Sequence, residues 1–278
     1  MRAAAVSETG TAAGPLARSA RVVCGIDASD ADATAVREAC GLAGPRGQVA
    51  LVSVIRATGG EPNATIEPAR ATEALERAMK QVRDAGGRSS VYVMRAPHVA
   101  AALLKAAADG DVLVVGTHRH GPEAVVELGA VATAAIHRSP VPVLVARGPP
   151  AAEGSQAMLV ASDGSEESDR ACAITSAIAS QVGARITLLT VDNEADPRRR
   201  RALTRQAIAL TGLDAVKPTV VSSDGKPVEA IVDTARASHC SLVVIGGGHP
   251  GIRGIRSVCE RVAHQAPCSV LVVRGTPR

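Results

Sequence analysis

The sequence predicts an α/β protein made of two doubly wound domains, each with a five-stranded parallel sheet and flanking helices. Three observations predict this class. Short apolar runs alternate with alanine-rich helical stretches, the alternation occurs twice in the same order, and 278 residues suit two ordinary domains. Strands that alternate with helices are joined by right-handed crossovers, which make the sheets parallel.

The composition is globular, with an unusual supply of core residues. Hydrophobic residues make up 46% and charged residues 21% of the chain, but Phe and Trp are absent and Tyr92 is the single aromatic residue. The core must therefore come from Ala, Val, Leu and Ile, and runs such as 112–115 suit strands buried on both faces. A net charge of +4 and the lack of aromatic rings for base stacking argue against a nucleic-acid partner.

The cysteines and the chain start indicate a cytoplasmic protein. No C-x-x-C pair occurs, so we expect six buried, reduced thiols. No run of 18 apolar residues is present, so no membrane partner is expected. Residues 1–19 have no hydrophobic signal core and are interpreted as a flexible leader. The thiols belong to Cys24, Cys40, Cys172, Cys240, Cys259 and Cys268.

An internal repeat defines the domains. RVVCGIDASDADATAVREA, from Arg21, aligns with AMLVASDGSEESDRACAIT, from Ala157, and each strand-like run ends at an acid followed by a serine and a helical stretch. DVLVVG aligns with SLVVIG, and SPVPVLVAR with APCSVLVVR. We assign domain 1 to residues 20–147, a linker to 148–156 and domain 2 to 157–275, and we expect two separate sheets.

The elements of the first half follow from its apolar pattern. Pro97, and Pro227 in the second half, are predicted to be first helical residues. Ser29-x-x-Asp32 resembles a capping box. Ligands of doubly wound sheets bind at the carboxyl ends of the strands, near the topological switch point. Strands are predicted near 21–26, 48–55, 88–94, 111–116 and 141–146, and helices near 31–43, 67–85, 97–109 and 129–138.

This order of features resembles the universal stress protein family over residues 20–275. The family's first strand ends in Asp-Gly-Ser, which appears here as 163–165 and, with alanine in the middle, as 27–29. Its last helix and strand read Ala-Pro-Cys-Pro and VLVVR, matched at 266–274. The resemblance implies a fold related to adenine nucleotide alpha hydrolases. It also implies a pseudo-dimer of the two halves through their last strands, and a homodimer of whole chains is compatible with it.

The resemblance also implies an adenine nucleotide site, with ATP as the first candidate and no metal beyond the Mg²⁺ that accompanies ATP. ATP-binding members carry Gly-x2-Gly-x9-Gly-Ser/Thr after the fourth strand, where backbone amides approach phosphate. In the first half Gly116 and Gly129 keep the spacing, with Arg119 at the middle glycine and Ala130 at the hydroxyl position.

The second half departs further from this pattern. Gly246 and Gly248 open its loop, His249 replaces the middle glycine, and Ser257 keeps the hydroxyl, but the loop is shorter. The first half is therefore the better candidate. Asp27 and Val54 are predicted near the adenosine there, and Asp163 and Val191 are the corresponding residues of the second half.

Simpler interpretations stand beside these. Asp27 and Asp163 would equally favour the positive ends of the helices that follow them. His118-x-His120 lacks a third metal ligand, and Arg198–Arg201 suit the solvated face of a helix that starts near Pro197. We expect a stress-response protein that is not an enzyme. The alternatives are a nucleotide-free interaction or scaffold module and a weak ATP-hydrolysing enzyme, for which no general base or ligand cluster is visible.

Overall fold

The computed structural model describes residues 20–57, 67–119, 126–147, 156–191, 197–211, 217–247 and 257–274. The leader, most of the linker and the loop positions Gly248 and His249 lie outside these residues. The first half contains β1 (Arg21–Gly25), α1 (Asp32–Ala43), β2 (Gln48–Arg56), α2 (Pro68–Asp84), β3 (Arg88–Ala96), α3 (Val99–Ala107), β4 (Val112–Gly116), β5 (His118–Arg119), β6 (Val126–Glu127), α4 (Ala130–Arg138) and β7 (Val143–Ala146). The second contains β8 (Ala157–Ser162), α5 (Glu166–Val182), β9 (Arg185–Val191), α6 (Pro197–Thr211), β10 (Thr219–Ser223), α7 (Pro227–Ala237), β11 (Leu242–Gly247), α8 (Val258–Gln265) and β12 (Ser269–Arg274).

Each half has the predicted five-stranded parallel sheet. The first is ordered β3-β2-β1-β4-β7 and the second β10-β9-β8-β11-β12. The fold class is thus confirmed, but the expectation of two separate sheets is wrong. β12 pairs antiparallel with β7, with Leu271 opposite Leu144, and the ten strands form one sheet. The apolar edges of both last strands are covered by each other, as the pseudo-dimer required.

Two layers of helices cover the sheet. Residues of α1, α2, α5 and α6 pack in the core on one face, and those of α3, α4, α7 and α8 in the core on the other. Neighbouring residues of a strand serve opposite faces, as Val112 and Leu113 do. Alanines fill much of the helical side, which suits a core without large aromatic rings.

Two arginines fasten the halves to each other. Arg147, just after β7, is 7% exposed and donates hydrogen bonds to the carbonyl oxygens of Ala266 and His264 at the end of α8, the latter at 2.7 Å. Arg274, at the end of β12, donates to the carbonyl oxygen of Ile136 in α4 at 2.6 Å. The last carbonyls of a helix have no partner within it, so each half caps a helix of the other.

The predicted start of α3 needs correction. Pro97 is not its first residue, because β3 continues to Ala96, which pairs with Arg56, and the chain must turn before the helix begins at Val99. Pro227 is confirmed as the first residue of α7.

The cysteines are thiols without disulfide partners, and five of them are buried, Cys40 being partly exposed. Burial raises the pKa of the Cys240 and Cys259 thiols to about 11, so they are inert near neutral pH. In the part of the chain that the structure describes, no helix is both long and apolar enough to cross a bilayer.

Replacement of Arg147 by methionine tests the junction. Arg147→Met keeps an unbranched apolar stem but leaves two carbonyls of α8 without their charged donor. We expect the free energy of unfolding to fall by about 2–3 kcal/mol in urea titrations. Arg138→Met, on the exposed last turn of α4, should change it by less than about 0.5 kcal/mol. Equal effects of the two substitutions would contradict the capping role.

Candidate functional site

A cavity of about 460 Å³ lies at the carboxyl ends of β1, β2 and β4 in the first half. β1 and β4 are neighbours whose connections run to opposite sides of the sheet, so the cavity occupies the switch point. The structure brings five predicted site residues together in its wall: Asp27, Val54, Gly116, Gly129 and Ala130.

One end of the cavity is formed by the N-terminus of α4. Gly129 is the N-cap residue, no side chain caps this helix, and its first turn contains no acid. Ala130, Val131 and Ala132 line the cavity, and the first N–H groups of a helix have no intrahelical acceptor. These donors and the helix dipole make this end of the cavity suited to an anion.

The β1–α1 turn contributes two carboxyl groups. Asp32 accepts hydrogen bonds from the backbone N–H groups of Asp27 (3.1 Å) and Ala28 (2.9 Å), one at each oxygen. Burial raises the pKa of Asp32 to about 7, and the neighbouring charge of Asp27 adds to the rise, although the backbone hydrogen bonds oppose it. The predicted capping box is wrong, since Ala31 is the N-cap without a side-chain hydrogen bond and Asp32 reaches back to the turn.

The turn itself explains the Asp-Gly-Ser pattern. Ala28 has φ 61° and its counterpart Gly164 has φ 82°, both in the left-handed region. Glycine adopts this conformation without the steric cost that a Cβ brings. The alanine of the first half is therefore strained where the second half is not.

Two arginines that the sequence analysis did not single out also line the cavity. Arg56 ends β2, and its buried Nε has no hydrogen-bond partner among the described atoms. Arg70 projects from the first turn of α2. The position of Arg70 on the predicted second helix was visible in the sequence, but nothing there placed this helix beside the end of β1.

The glycines at the ends of β4 and β11 have a packing role. A Cβ on Gly116 would lie 2.8 Å from the Cβ of Ala31, and one on Gly246 would lie 2.7 Å from the backbone nitrogen of Ser168. The helix after the first strand of each half thus crosses directly over the glycine. Arg119 lies in β5, paired with Val126 in an extended ladder, a conformation that does not require glycine.

The corresponding positions of the second half are engaged in their own hydrogen bonds. Asp163 accepts from the N–H of Ser165 (3.0 Å) and the hydroxyl of Ser168 (2.8 Å). Burial acts to raise the pKa of Asp163, but these hydrogen bonds prevail and lower it. Ser257 caps α8 by accepting from the N–H of Glu260 (3.2 Å), and Val191 ends β9. Ser257 therefore serves its helix here.

The sequence model of the Universal stress protein family matches residues 19–147 and again 154–274. The chain belongs to the universal stress protein family. It is a tandem member, with one family domain in each half. A universal stress protein of Thermus aquaticus is 32% identical over 135 residues, which cover 42% of this chain and 97% of that protein.

Solved structures show the same tandem fold. A universal stress protein from Archaeoglobus fulgidus superposes with a TM-score of 0.71 at 17% identity, covering 93% of this chain and 97% of its own. A putative universal stress protein from Pseudomonas aeruginosa gives 0.64 at 18% identity, covering 94% of both chains. At such low identity these likenesses establish the fold and leave the ligand to be argued from the site.

Exchange of alanine and glycine between the two turns tests the strain. Ala28→Gly removes the left-handed Cβ, and we expect the free energy of unfolding to rise by about 0.5–1 kcal/mol. Gly164→Ala should lower it by about 1 kcal/mol, because its Cβ finds space 3.4 Å from that of Ala202 and backbone strain is the main cost. Urea titration of both variants measures the effect, and a destabilised Ala28→Gly would refute the interpretation.

Proposed function

We propose that this universal stress protein binds an adenine nucleotide in the cavity of its first half. The observation that supports this most directly is the N-terminus of α4, which opens into the cavity without a capping side chain or an acid in its first turn. Its backbone donors suit a phosphate group. The cavity volume of about 460 Å³ falls within the range of small-molecule sites.

The rest of the cavity suits the nucleoside. Asp27, at the opposite side of the β1–β4 switch point, offers carboxylate oxygens to ribose hydroxyls or the adenine amino group. Val52, Val54 and Leu103 provide apolar surface for the base. Ala130 replaces the hydroxyl residue of the family loop but keeps its backbone N–H, so only one phosphate contact is lost.

We propose a binding role rather than catalysis. Among the described residues, no group of three or more His, Cys, Asp and Glu side chains could hold a metal ion. A Mg²⁺ that accompanies ATP would be held chiefly by the phosphates, and Asp27 and Asp32 are the acidic residues that line the cavity. The cytoplasmic location and a homodimer of whole chains stay predictions.

The second half is proposed not to share this ligand. Ser257 already caps α8 with its hydroxyl, and Glu260 brings an acid into the first turn of that helix. Asp163 accepts from the N–H of Ser165 as Asp27 does from that of Ser29 (3.0 Å), but it also accepts from the hydroxyl of Ser168. The phosphate end of the second half therefore differs from that of the first in the direction that disfavours an anionic nucleotide.

An acid at the start of α4 tests the phosphate end. Ala130→Asp should weaken AMP and ATP binding at least tenfold, roughly the effect of one like charge near the ligand. Aspartate favours a helix N-terminus, so the variant should fold normally. The affinities are measured by isothermal titration calorimetry of the whole chain without added metal.

The matched control is Ser257→Asp, which places the same charge at the N-cap of α8, the position that Gly129 has in α4. It should leave the affinity unchanged, because aspartate also caps a helix and the second half is not the site. Equal weakening by both variants would indicate a site in each half, and weakening by Ser257→Asp alone would assign the nucleotide to the second half. No AMP or ATP binding by the unmodified protein would overturn the proposed function.

A further inference from the structure

Asp32 is the cavity residue at which the two halves differ most clearly in chemistry. Asp32 lines the cavity, and its carboxyl group accepts hydrogen bonds from the N–H groups of Asp27 and Ala28. In the aligned repeat the same position is Ser168, whose hydroxyl accepts from the N–H of Asp163 (3.3 Å) and donates to its carboxylate. The second half therefore holds the corresponding turn with two neutral hydroxyl groups, those of Ser168 and Ser162, in place of the Asp32 carboxyl.

The titratable groups around Asp32 include one acid, two neutral thiols and two arginines. Asp27, at the end of β1, faces it across the turn, and burial raises the pKa of both nearby thiols, Cys24 of β1 and Cys40 of α1. Arg56, from the end of β2, and Arg70, from α2, line the same cavity. Burial and the charge of Asp27 disfavour the ionised form of Asp32 and raise its pKa to about 7, against the backbone hydrogen bonds that favour that form.

We propose that Asp32 couples the binding of an anionic ligand in the first-half cavity to the protonation of its own carboxyl group. This rests on the proposed function. A bound phosphate adds negative charge to the cavity and the ligand displaces its water, and both changes disfavour the Asp32 carboxylate. The proton comes from solvent and stays on the Asp32 carboxyl, no covalent bond changes, and the site binds its ligand more tightly at mildly acidic pH.

The test is calorimetric titration with AMP at pH 6 and pH 8 for the unmodified protein, Asp32→Asn and Asp32→Ser. If the ligand raises the pKa of Asp32 by one unit, the affinity of the unmodified protein should fall about fivefold more than that of the variants. The ionisation of AMP itself affects all three proteins equally and cancels in the comparison. Titration at pH 7 in buffers of different ionisation enthalpy should show uptake of roughly half a proton, lost in both variants.

Glu38→Gln is the matched control. Burial also raises the pKa of Glu38, which accepts a hydrogen bond from Ser269 (3.1 Å) at the junction of the halves, and Glu38 is not part of the cavity wall. Its replacement should leave the pH dependence of AMP binding intact. AMP binding with the same pH dependence in the unmodified protein and both Asp32 variants would overturn this inference and leave the proposed function standing. No AMP binding at either pH would overturn both.

A measurement without ligand checks the group itself. A carboxyl whose pKa is higher in the folded than in the unfolded state binds more protons when folded, so its contribution to stability falls as pH rises between the two values. From pH 5 to pH 8 the unfolding midpoint of the unmodified protein should therefore decrease relative to that of Asp32→Ser. A constant difference across this range would contradict the proton exchange that the coupling requires.

Discussion

The ladder between β7 and β12 is the contact on which the arrangement of this protein depends. Its central residues, Val143 to Val145 and Val270 to Val272, are at most 1% exposed. Apart, each strand would present an apolar edge with unpaired N–H and C=O groups, the kind of edge that invites aggregation. The ladder is antiparallel, so the parallel strands of the two halves point in opposite directions. The carboxyl ends of the strands, and the candidate sites next to them, therefore lie at opposite ends of the strands of one sheet. A change of residues at one site does not touch the other.

The absence of large aromatic side chains sets how closely the layers approach. Alanines such as Ala35, Ala39 and Ala171 are fully buried between helix and strand, so these helices lie near the sheet. The same closeness brings the start of α1 over Gly116 and the start of α5 over Gly246. A small-residue core thus carries its own requirement for glycine at the strand ends, before any ligand is considered.

The regular alternation of apolar strands and alanine-rich helices made most of the fold predictable from the sequence. The features that depend on side-chain contacts and on strand pairing between the halves were not predictable from it. The apolar runs place β1, β2 and β4 within one residue of their observed ends, because strands buried on both faces have no polar positions to confuse the pattern. The strand ends also predicted Asp27 and Gly116 as neighbours, since parallel strand ends meet at one edge, and the family resemblance added Val54 and Gly129. The sequence analysis missed the role of Asp32, because a serine followed three residues later by an acid has the spacing of a capping box. The sequence does not show that the acid accepts hydrogen bonds from the preceding turn instead. It also missed the single sheet, because an edge does not show in its own sequence whether its partner is a strand or a helix.

The glycines of the family loop are not sufficient evidence of phosphate binding in this protein. Gly116 and Gly246 are both retained, and both are explained by the helix that crosses them, so neither glycine is by itself a sign of phosphate binding. What distinguishes the halves is the next helix: α4 begins without a side-chain cap, whereas the Ser257 hydroxyl accepts the N–H of Glu260 at the start of α8. Free donors at a helix N-terminus remain available to an anion, and satisfied ones do not. The residue that best matches the family motif by type, Ser257, therefore caps its own helix, whereas the half with alanine at that position leaves the start of its helix open to the cavity.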